Sequence, residues 1–444
     1  MSETSDRFFN PHRIPRTDKA RAVIQTVISS LDAREREINP EKRKRRPVDQ
    51  ATFETTIMAL VCDLMHYHLL YNERNLVIPR SKRVLGKRDR YGHPALNQKL
   101  PDWLTLLSSN ELGWITQEIG HGMIFSHNQR TIIAPTEQFT GLMDQHGIEL
   151  RDIGISKSGE TIILKAPKAH RKAKAKLLPY KDTEQTIRWS KLMETINEWL
   201  SKADIEFDDR VMLDWEQIDI QERHLRRSFN NGSFESGGRL GGGFWTNLGK
   251  EDRLNGLTIN GERVVSLDYG QSALRIVYGL AGVKPPEGDL YNIPGIPPKY
   301  REGIKTLISA LSFTDAIPKS KPKDTADALP KSMKVRELCE LINKAHPGVA
   351  QFYPSKVGHK AQFIESEIII SVIMDLIQEG ITSLPVHDCV IVPESAWEIA
   401  HSVMTRRFNE IAQTESCVRV EHPSLNNNPY LHGINQDGAI RVSP

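Results

Sequence analysis

The chain has 444 residues, 39% of them hydrophobic and 26% charged, with a formal net charge of +3. That length is enough for two or three globular domains, and so small a net charge confines any basic surface to local patches. The four cysteines (Cys62, Cys339, Cys389 and Cys417) are widely spread with no Cys-x-x-Cys, so neither a zinc cluster nor a disulfide framework is suggested, and a reducing cytoplasm fits. No apolar run approaches transmembrane length, so no membrane partner is expected.

Residues 1–50 are polar and charge-dense and carry Lys42-Arg-Lys-Arg-Arg46 before Pro47. They read as a basic flexible arm, either solvated or touching nucleic acid through counterion release. From Ala51 to about Leu70 the residues Ile57, Leu60, Val61, Leu64 and Met65 recur at helical spacing and predict a core helix. His66 and His68 near its end have no third ligand in view and read as structural histidines.

A basic loop follows, Arg80-Ser-Lys-Arg83 and Lys87-Arg-Asp-Arg90. A helix then opens at Pro101-Asp102 and runs through Trp103, Leu104 and Leu107. Two strands come next, Trp114-Ile-Thr-Gln117 and Arg130–Pro135. Helix then hairpin beside basic residues is the layout of a winged helix-turn-helix, and of many other α+β domains. Residues 51–210 are read on this basis as a nucleic-acid-binding region. Within it, Ile153–Leu164 predicts a hairpin about Lys157-Ser-Gly159.

Between residues 165 and 181 stand seven basic residues and no acid: Lys165, Lys168, Arg171, Lys172, Lys174, Lys176 and Lys181. A solvated loop usually mixes signs, so this segment is the foremost expected phosphate contact. Residues 182–203 form an amphipathic pattern (Ile187, Leu192, Ile196, Trp199, Leu200), a connecting or thumb-like helix.

The second half, 211–444, carries the chemistry. Ser228–Gly243 is glycine-dense, a loop that lets backbone approach a polyanion, but it holds no Gly-x-x-x-x-Gly-Lys-Ser/Thr pattern. Val264-Val-Ser-Leu-Asp-Tyr-Gly-Gln-Ser-Ala-Leu-Arg-Ile276 starts as a buried strand and ends in Asp268, a costly charge unless paired or bound to a cation. Gln271, Leu274, Arg275 and Tyr278 then follow helical spacing. Far downstream, Leu384-Pro-Val-His-Asp-Cys-Val-Ile-Val392 places Asp388 at the tip of a second hairpin. Two such aspartates, brought together, suit a pair of divalent ions about 4 Å apart for in-line phosphoryl transfer.

Asp268-Tyr-Gly-Gln-Ser-Ala-Leu-Arg275 resembles motif A of family A DNA polymerases, Asp-Tyr-Ser-Gln-Ile-Glu-Leu-Arg, and Val386-His387-Asp388 resembles their motif C, Val-His-Asp-Glu. Ser236-Gly-Gly-Arg-Leu240 resembles the family's Thr-Gly-Arg-Leu segment, Gly288-Asp-Leu-Tyr291 its Asp-Ile-His, and Gln362-Phe-Ile-Glu-Ser-Glu-Ile368 its Gln-Gly-Thr-Ala-Ala-Asp-Ile helix. Arg301 and Lys305 match the two cations of its fingers helix. The resemblance covers about residues 228–412 as ordered short motifs.

The resemblance implies an α+β right hand, a palm sheet with helical fingers, acting as a template-directed nucleotidyltransferase: a DNA polymerase or primase-polymerase. It implies that Asp268 and Asp388 hold two Mg2+ (or Mn2+) ions and that Arg301 and Lys305 bind the nucleoside triphosphate. Gln271 and Ala273 would line the nucleotide site, Gln271 and Arg275 would buttress the site or the template strand, and Arg239, Gln362 and His387 would meet primed or unprimed DNA template. The chain departs from the family pattern in four places. Cys389 replaces the motif C glutamate, and Ser309 and Phe313 replace a fingers phenylalanine and tyrosine. Ala273 replaces the glutamate that crowds the sugar 2′ position, which implies relaxed sugar selectivity. The compact chain is consistent with a phage, plasmid or other mobile-element enzyme. Two other readings stay open: a single-subunit RNA polymerase relative, against which the Asp-Tyr-x-Gln spelling speaks, and a DNA-binding replication initiator or regulator with a degenerate polymerase-like half.

Overall fold

A computed structural model describes residues 6–41, 43–70, 75–87, 89–120, 130–156, 159–170, 173–212, 218–322, 325 and 327–423. The chain is α+β and divides into two compact units, Met1–Glu160 and Thr161–Pro444. No helix among the described residues is long and apolar enough to cross a membrane.

The first unit contains β1 (Asp6–Phe8), β2 (Arg13–Pro15), α1 (Asp18–Ile38), α2 (Pro47–Leu70), β3 (Asn75–Val77), α3 (Lys82–Leu85), α4 (Leu100–Leu107), β4 (Ile115–Glu118), β5 (Ile132–Pro135), α5 (Glu137–His146) and β6 (Ile153–Ile155). Strands run in the order β1-β3-β5-β4, and β2 pairs separately with β6. The reading of residues 1–50 as a flexible arm is corrected here. Ala20, Val23, Ile24, Val27, Ile28 and Leu31 recur at helical spacing on α1 and are buried in this unit's core, so apolar burial overrides the surrounding charge density. The basic run is partly spent as well: Arg45 pairs with Asp32 and Glu35 and lies over the Phe53 ring at 3.7 Å, and Arg46 pairs with Asp49. Lys42 lies outside the described residues. Asp63, fully buried on α2, is matched by polar partners: it accepts from Arg7 at 3.0 and 2.5 Å and from the Asn10 backbone N–H at 2.9 Å.

The second unit contains β7 (Ile162–Leu164), α6 (Glu184–Lys202), β8 (Ile205–Phe207), β9 (Arg226–Phe229), β10 (Gly237–Gly241), α7 (Lys250–Gly256), β11 (Leu257–Ile259), β12 (Glu262–Tyr269), α8 (Ser272–Ala281), α9 (Arg301–Ser312), α10 (Val335–Ala345), α11 (Gly358–Gln378), β13 (Leu384–Val386), β14 (Cys389–Pro393), α12 (Trp397–Ala412) and β15 (Val418–Glu421). The unit boundary lies at 160/161 and not at 210/211 as the sequence reading had it. The hairpin expected about Gly159 is not formed: β6 pairs with β2, while β7 runs parallel to β9. Alternation identifies a strand but not its partner, and these two strands bury their residues in different cores.

The main sheet of this unit runs β13-β14-β12-β11-β8, with β15 added beside β12. β12 is its centre because Val264, Val265 and Leu267 are all fully buried, the continuous apolar pattern of an inner strand. Antiparallel pairing sets Asp268 opposite Cys389 of β14 on one side and opposite Arg419 of β15 on the other. α11 is apolar along most of its length and packs on α8, α12 and β10. α9 turns Ile304, Leu307, Ile308 and Leu311 inward and leaves Arg301 and Lys305 on its outer face. Thr183 caps α6, its hydroxyl accepting from the Thr186 N–H at 3.2 Å.

Candidate active site

The geometry at Asp268 follows from how β12 ends. Gly270 lies close under the chain leading into β15: an added Cβ would lie 3.1 Å from Arg419 Nε and from Cys417 Sγ, a tight fit that those side chains would have to relieve. Gln271 then takes a left-handed φ of 64° as the N-cap of α8, reversing the chain immediately beyond the aspartate. Between β13 and β14, His387 takes a φ of 58°, which makes the tight turn that carries Asp388. The Tyr269 backbone N–H donates to the Asp388 carbonyl at 3.3 Å, so the two aspartates sit on adjoining backbone.

Both aspartates line one cleft of about 230 Å³. It is also lined by Arg239 on β10, Gln271, Ser272 and Ala273 at the start of α8, Arg301, Lys305 and Ser309 on α9, and Glu365 on α11. Burial pushes the Asp268 carboxyl up to about 6, and the charges of Asp388 and Glu421 add to it, while Lys250 and Lys305 partly offset it. Glu365 is 3% exposed, and burial, helped by Asp388, lifts it to about 7 against the opposing pull of Arg239. Arg239 Nε donates to Glu365 at 2.8 Å. The Ser272 hydroxyl lies 3.0 Å from Asp388 Oδ2 and 3.2 Å from Glu365 Oε2; with a single proton it donates to one of them at a time. Burial also raises the Cys389 thiol to about 12, so at neutral pH this position carries a neutral S–H and no anion.

The structure gathers some of the sequence-derived residues here and leaves others apart. Asp268, Asp388, Arg239, Gln271, Ala273, Arg301 and Lys305 share the cleft. Arg275 does not line the cleft, and of the two roles expected for it, buttressing the site or the template strand, its surroundings fit the first. The side chain is buried, donating to the Glu415 carbonyl at 3.1 Å and to Gln271 Oε1 at 3.3 Å, so it braces the site from behind. Gln362 is half-buried and His387 exposed, and neither lines the cleft. Lys165 joins a short antiparallel bridge to Leu177, with Lys168, Lys174 and Lys176 exposed around it, away from the cleft lining. Arg171 and Lys172 lie outside the described residues. In the first unit, Arg80 is bonded to Gln117 and Thr105, Lys82 to Asp102, and Arg90 to Glu160, leaving Arg83 and Lys87 exposed.

Glu365, Ser272 and Asp289 are cleft or near-cleft groups to which the sequence reading gave no role. Glu365 had a legible signal: it is an acid on the apolar face of α11, in step with Ala361, Ile368 and Ile369. Among the described residues, no group of three or more His, Cys, Asp or Glu side chains is placed to hold a metal ion.

No family model matches the chain, and no curated protein matches it in sequence. Among solved structures, the POL domain of Pol1 from M. smegmatis, in complex with DNA primer-template and dNTP, is similar at 11% identity and a TM-score of 0.33. The match covers 94% of this chain and 68% of that one. At that TM-score the likeness assigns no activity.

Proposed function

We propose that the second unit is a template-directed nucleotidyltransferase, a DNA polymerase or primase-polymerase of right-hand type. The observation that carries this reading is the convergence of Asp268 and Asp388 from distant parts of the chain onto one cleft, faced by Arg239, Arg301 and Lys305. Asp268 and Asp388 are hard oxygen donors, and the rise in Asp268, caused first by burial and then by the charge of Asp388, is one that a cation between the two carboxylates would relieve. They fit Mg2+, which is content with few protein carboxylates because water and substrate phosphates complete its shell. Bound there, two Mg2+ ions would activate a primer 3′-hydroxyl and stabilise the leaving pyrophosphate.

The chain's own groups supply the rest. In the reaction, the primer 3′-oxygen forms a bond to the α-phosphorus, the bond from that phosphorus to the bridging oxygen breaks, pyrophosphate leaves, and the hydroxyl proton passes to solvent. Lys305 and Arg301 neutralise the triphosphate and the charge that develops as pyrophosphate departs. Ser272 orients Asp388, and Arg275 with Gln271 fixes the start of α8. Ala273 is exposed on the cleft and offers only a methyl group, so ribonucleotides are accepted beside deoxynucleotides. On the second unit the exposed Lys168, Lys174 and Lys176 meet nucleic acid through its phosphates, and on the first unit, taken by itself, the helix and hairpin of α4, β4 and β5 provide a nucleic-acid contact of their own.

The test is extension of labelled nucleotides with Mg2+ on template with and without primer, beside Asp268→Ala and Asp388→Ala. Extension by the unaltered chain alone is the expected result, and extension without primer marks a primase. No extension by the unaltered chain refutes the enzyme reading and leaves a DNA-binding initiator or regulator.

A further inference from the structure

The cation that opens α9 is already engaged. Arg301 donates through Nε and Nη2 to Asp289 and through Nη1 to Glu302. Asp289 is held in place independently of that pair: its Oδ1 also accepts from the Tyr291 backbone N–H at 3.0 Å and from Gln271 Nε2 at 3.0 Å. Gln271 is in turn gripped by Arg275. Burial pushes the Asp289 carboxyl up, but hydrogen bonds from Arg301 and Tyr291 outweigh this and hold it below the usual carboxylate range. Asp289 thus presents Arg301 with a fixed planar anion, the same chemistry a phosphoryl group offers to a guanidinium. Lys305, 54% exposed, has only a 3.9 Å approach to Glu302. Two cations on α9 therefore face two acids, Asp289 and Glu302, and a polyanion must compete with Asp289 for the Arg301 guanidinium.

We propose that Asp289 is a built-in competitor for the phosphates of the incoming nucleotide: it holds Arg301 until a polyphosphate takes the guanidinium from it, and so sets the affinity of the site. The proposal rests on the nucleotidyltransferase reading. Because Arg301 is the first residue of α9, its exchange between Asp289 and phosphate also couples ligand binding to the position of that helix's first turn.

The experiment measures equilibrium binding of a fluorescent nucleoside triphosphate and of inorganic tripolyphosphate, with Mg2+. It uses the full chain and the variants Asp289→Asn, Arg301→Ala and the double variant, each checked by thermal melting. Asn keeps an acceptor for the Tyr291 N–H and loses the charge. Asp289→Asn is expected to tighten both ligands about tenfold, the worth of one charge-assisted hydrogen bond. Arg301→Ala is expected to weaken both, and Asp289→Asn to change nothing in the Arg301→Ala background. A folded Asp289→Asn chain that binds no tighter overturns the proposal and makes Asp289 a structural clamp. Equal tightening without Arg301 also overturns it, because the effect is then through-space charge. Should Asp289→Asn not fold, Asp289→Ser takes its place, and failure of both to fold overturns the proposal. If the unaltered chain binds neither ligand, the nucleotidyltransferase reading falls as well, whereas binding without tightening removes only the competitor.

Discussion

Replacing Asp268 by Asn should make the protein more stable at neutral pH while abolishing its activity. The Asp268 carboxyl is raised from 3.8 to about 6, first by burial and then by Asp388 and Glu421. At about 1.36 kcal/mol per pH unit, keeping that carboxylate ionised in the folded chain costs up to about 3 kcal/mol. The group is only partly buried, so solvent screening reduces this to about 1–2 kcal/mol. The sign follows from proton binding. Below about pH 4 the carboxyl is protonated in both folded and unfolded chains, and its charge costs nothing. Between about 4 and 6 the folded chain binds the extra proton, so stability falls as pH rises, and above about 6 the full cost is present. Asn removes the charge at nearly constant shape. Urea unfolding of the two proteins should therefore give similar midpoints at pH 4 and a higher midpoint for Asp268→Asn at pH 8. Adding Mg2+ at pH 8 should raise the midpoint of the unaltered chain and leave that of the variant nearly unchanged. Equal midpoints at both pH values would show that Asp268 does not bear an uncompensated charge, and would remove the electrostatic case for a cation between the two aspartates.

Other substitutions probe the remaining parts of the site and fold. Lys305→Ala should lower kcat about 10²-fold with the melting temperature unchanged, because the side chain is half-exposed and lies at the cleft; a loss confined to KM would argue against a role in the transition state. Ala273→Glu should raise discrimination against ribonucleotides in single-nucleotide incorporation, and an unchanged ratio would show that the sugar is read elsewhere. Gly279→Ala should destabilise the second unit by about 3 kcal/mol or more, since the added Cβ would lie 1.7 Å from the Ala412 carbonyl oxygen and neither backbone can yield cheaply. A change below about 0.5 kcal/mol in urea unfolding would contradict that close approach. Arg227→Ala should cost about 3–5 kcal/mol in the same assay, because the fully buried guanidinium serves Ser366, Glu367 and the Gly238 carbonyl together.

Much of the candidate site is local, and local features are legible in a sequence. The apolar run Val264–Leu267 ending in Asp268, the spacing that puts Arg301 and Lys305 on one helical face, and the hairpin around Asp388 all depend on neighbours within a few residues. α1 (Asp18–Ile38) is local in the same sense. There the apolar spacing of Ala20, Val23, Ile24, Val27, Ile28 and Leu31 stands beside the charge-dense residues 32–46.

What only the tertiary structure decided is partnership. Whether Ile153–Ile155 pairs with the strand after it or with Arg13–Pro15 depends on two cores, which no period in the sequence encodes. Arg275 and Arg301 are both cations beside a motif, yet one is sealed behind the site and the other stands in the cleft, because α8 and α9 turn different faces to the unit's interior. Glu365, Ser272 and Asp388 meet only when α11, α8 and the β13–β14 turn pack together. Asp289 acquires its hold on Arg301 in the same way. Alone, the sequence singled out Asp268, Asp388, Arg301 and Lys305 as candidates, since that is a matter of side-chain type and short spacing. Which of those charges are already answered by another part of the chain was decided by long-range packing, which costs chain entropy to assemble and leaves no periodic trace in the residues it joins.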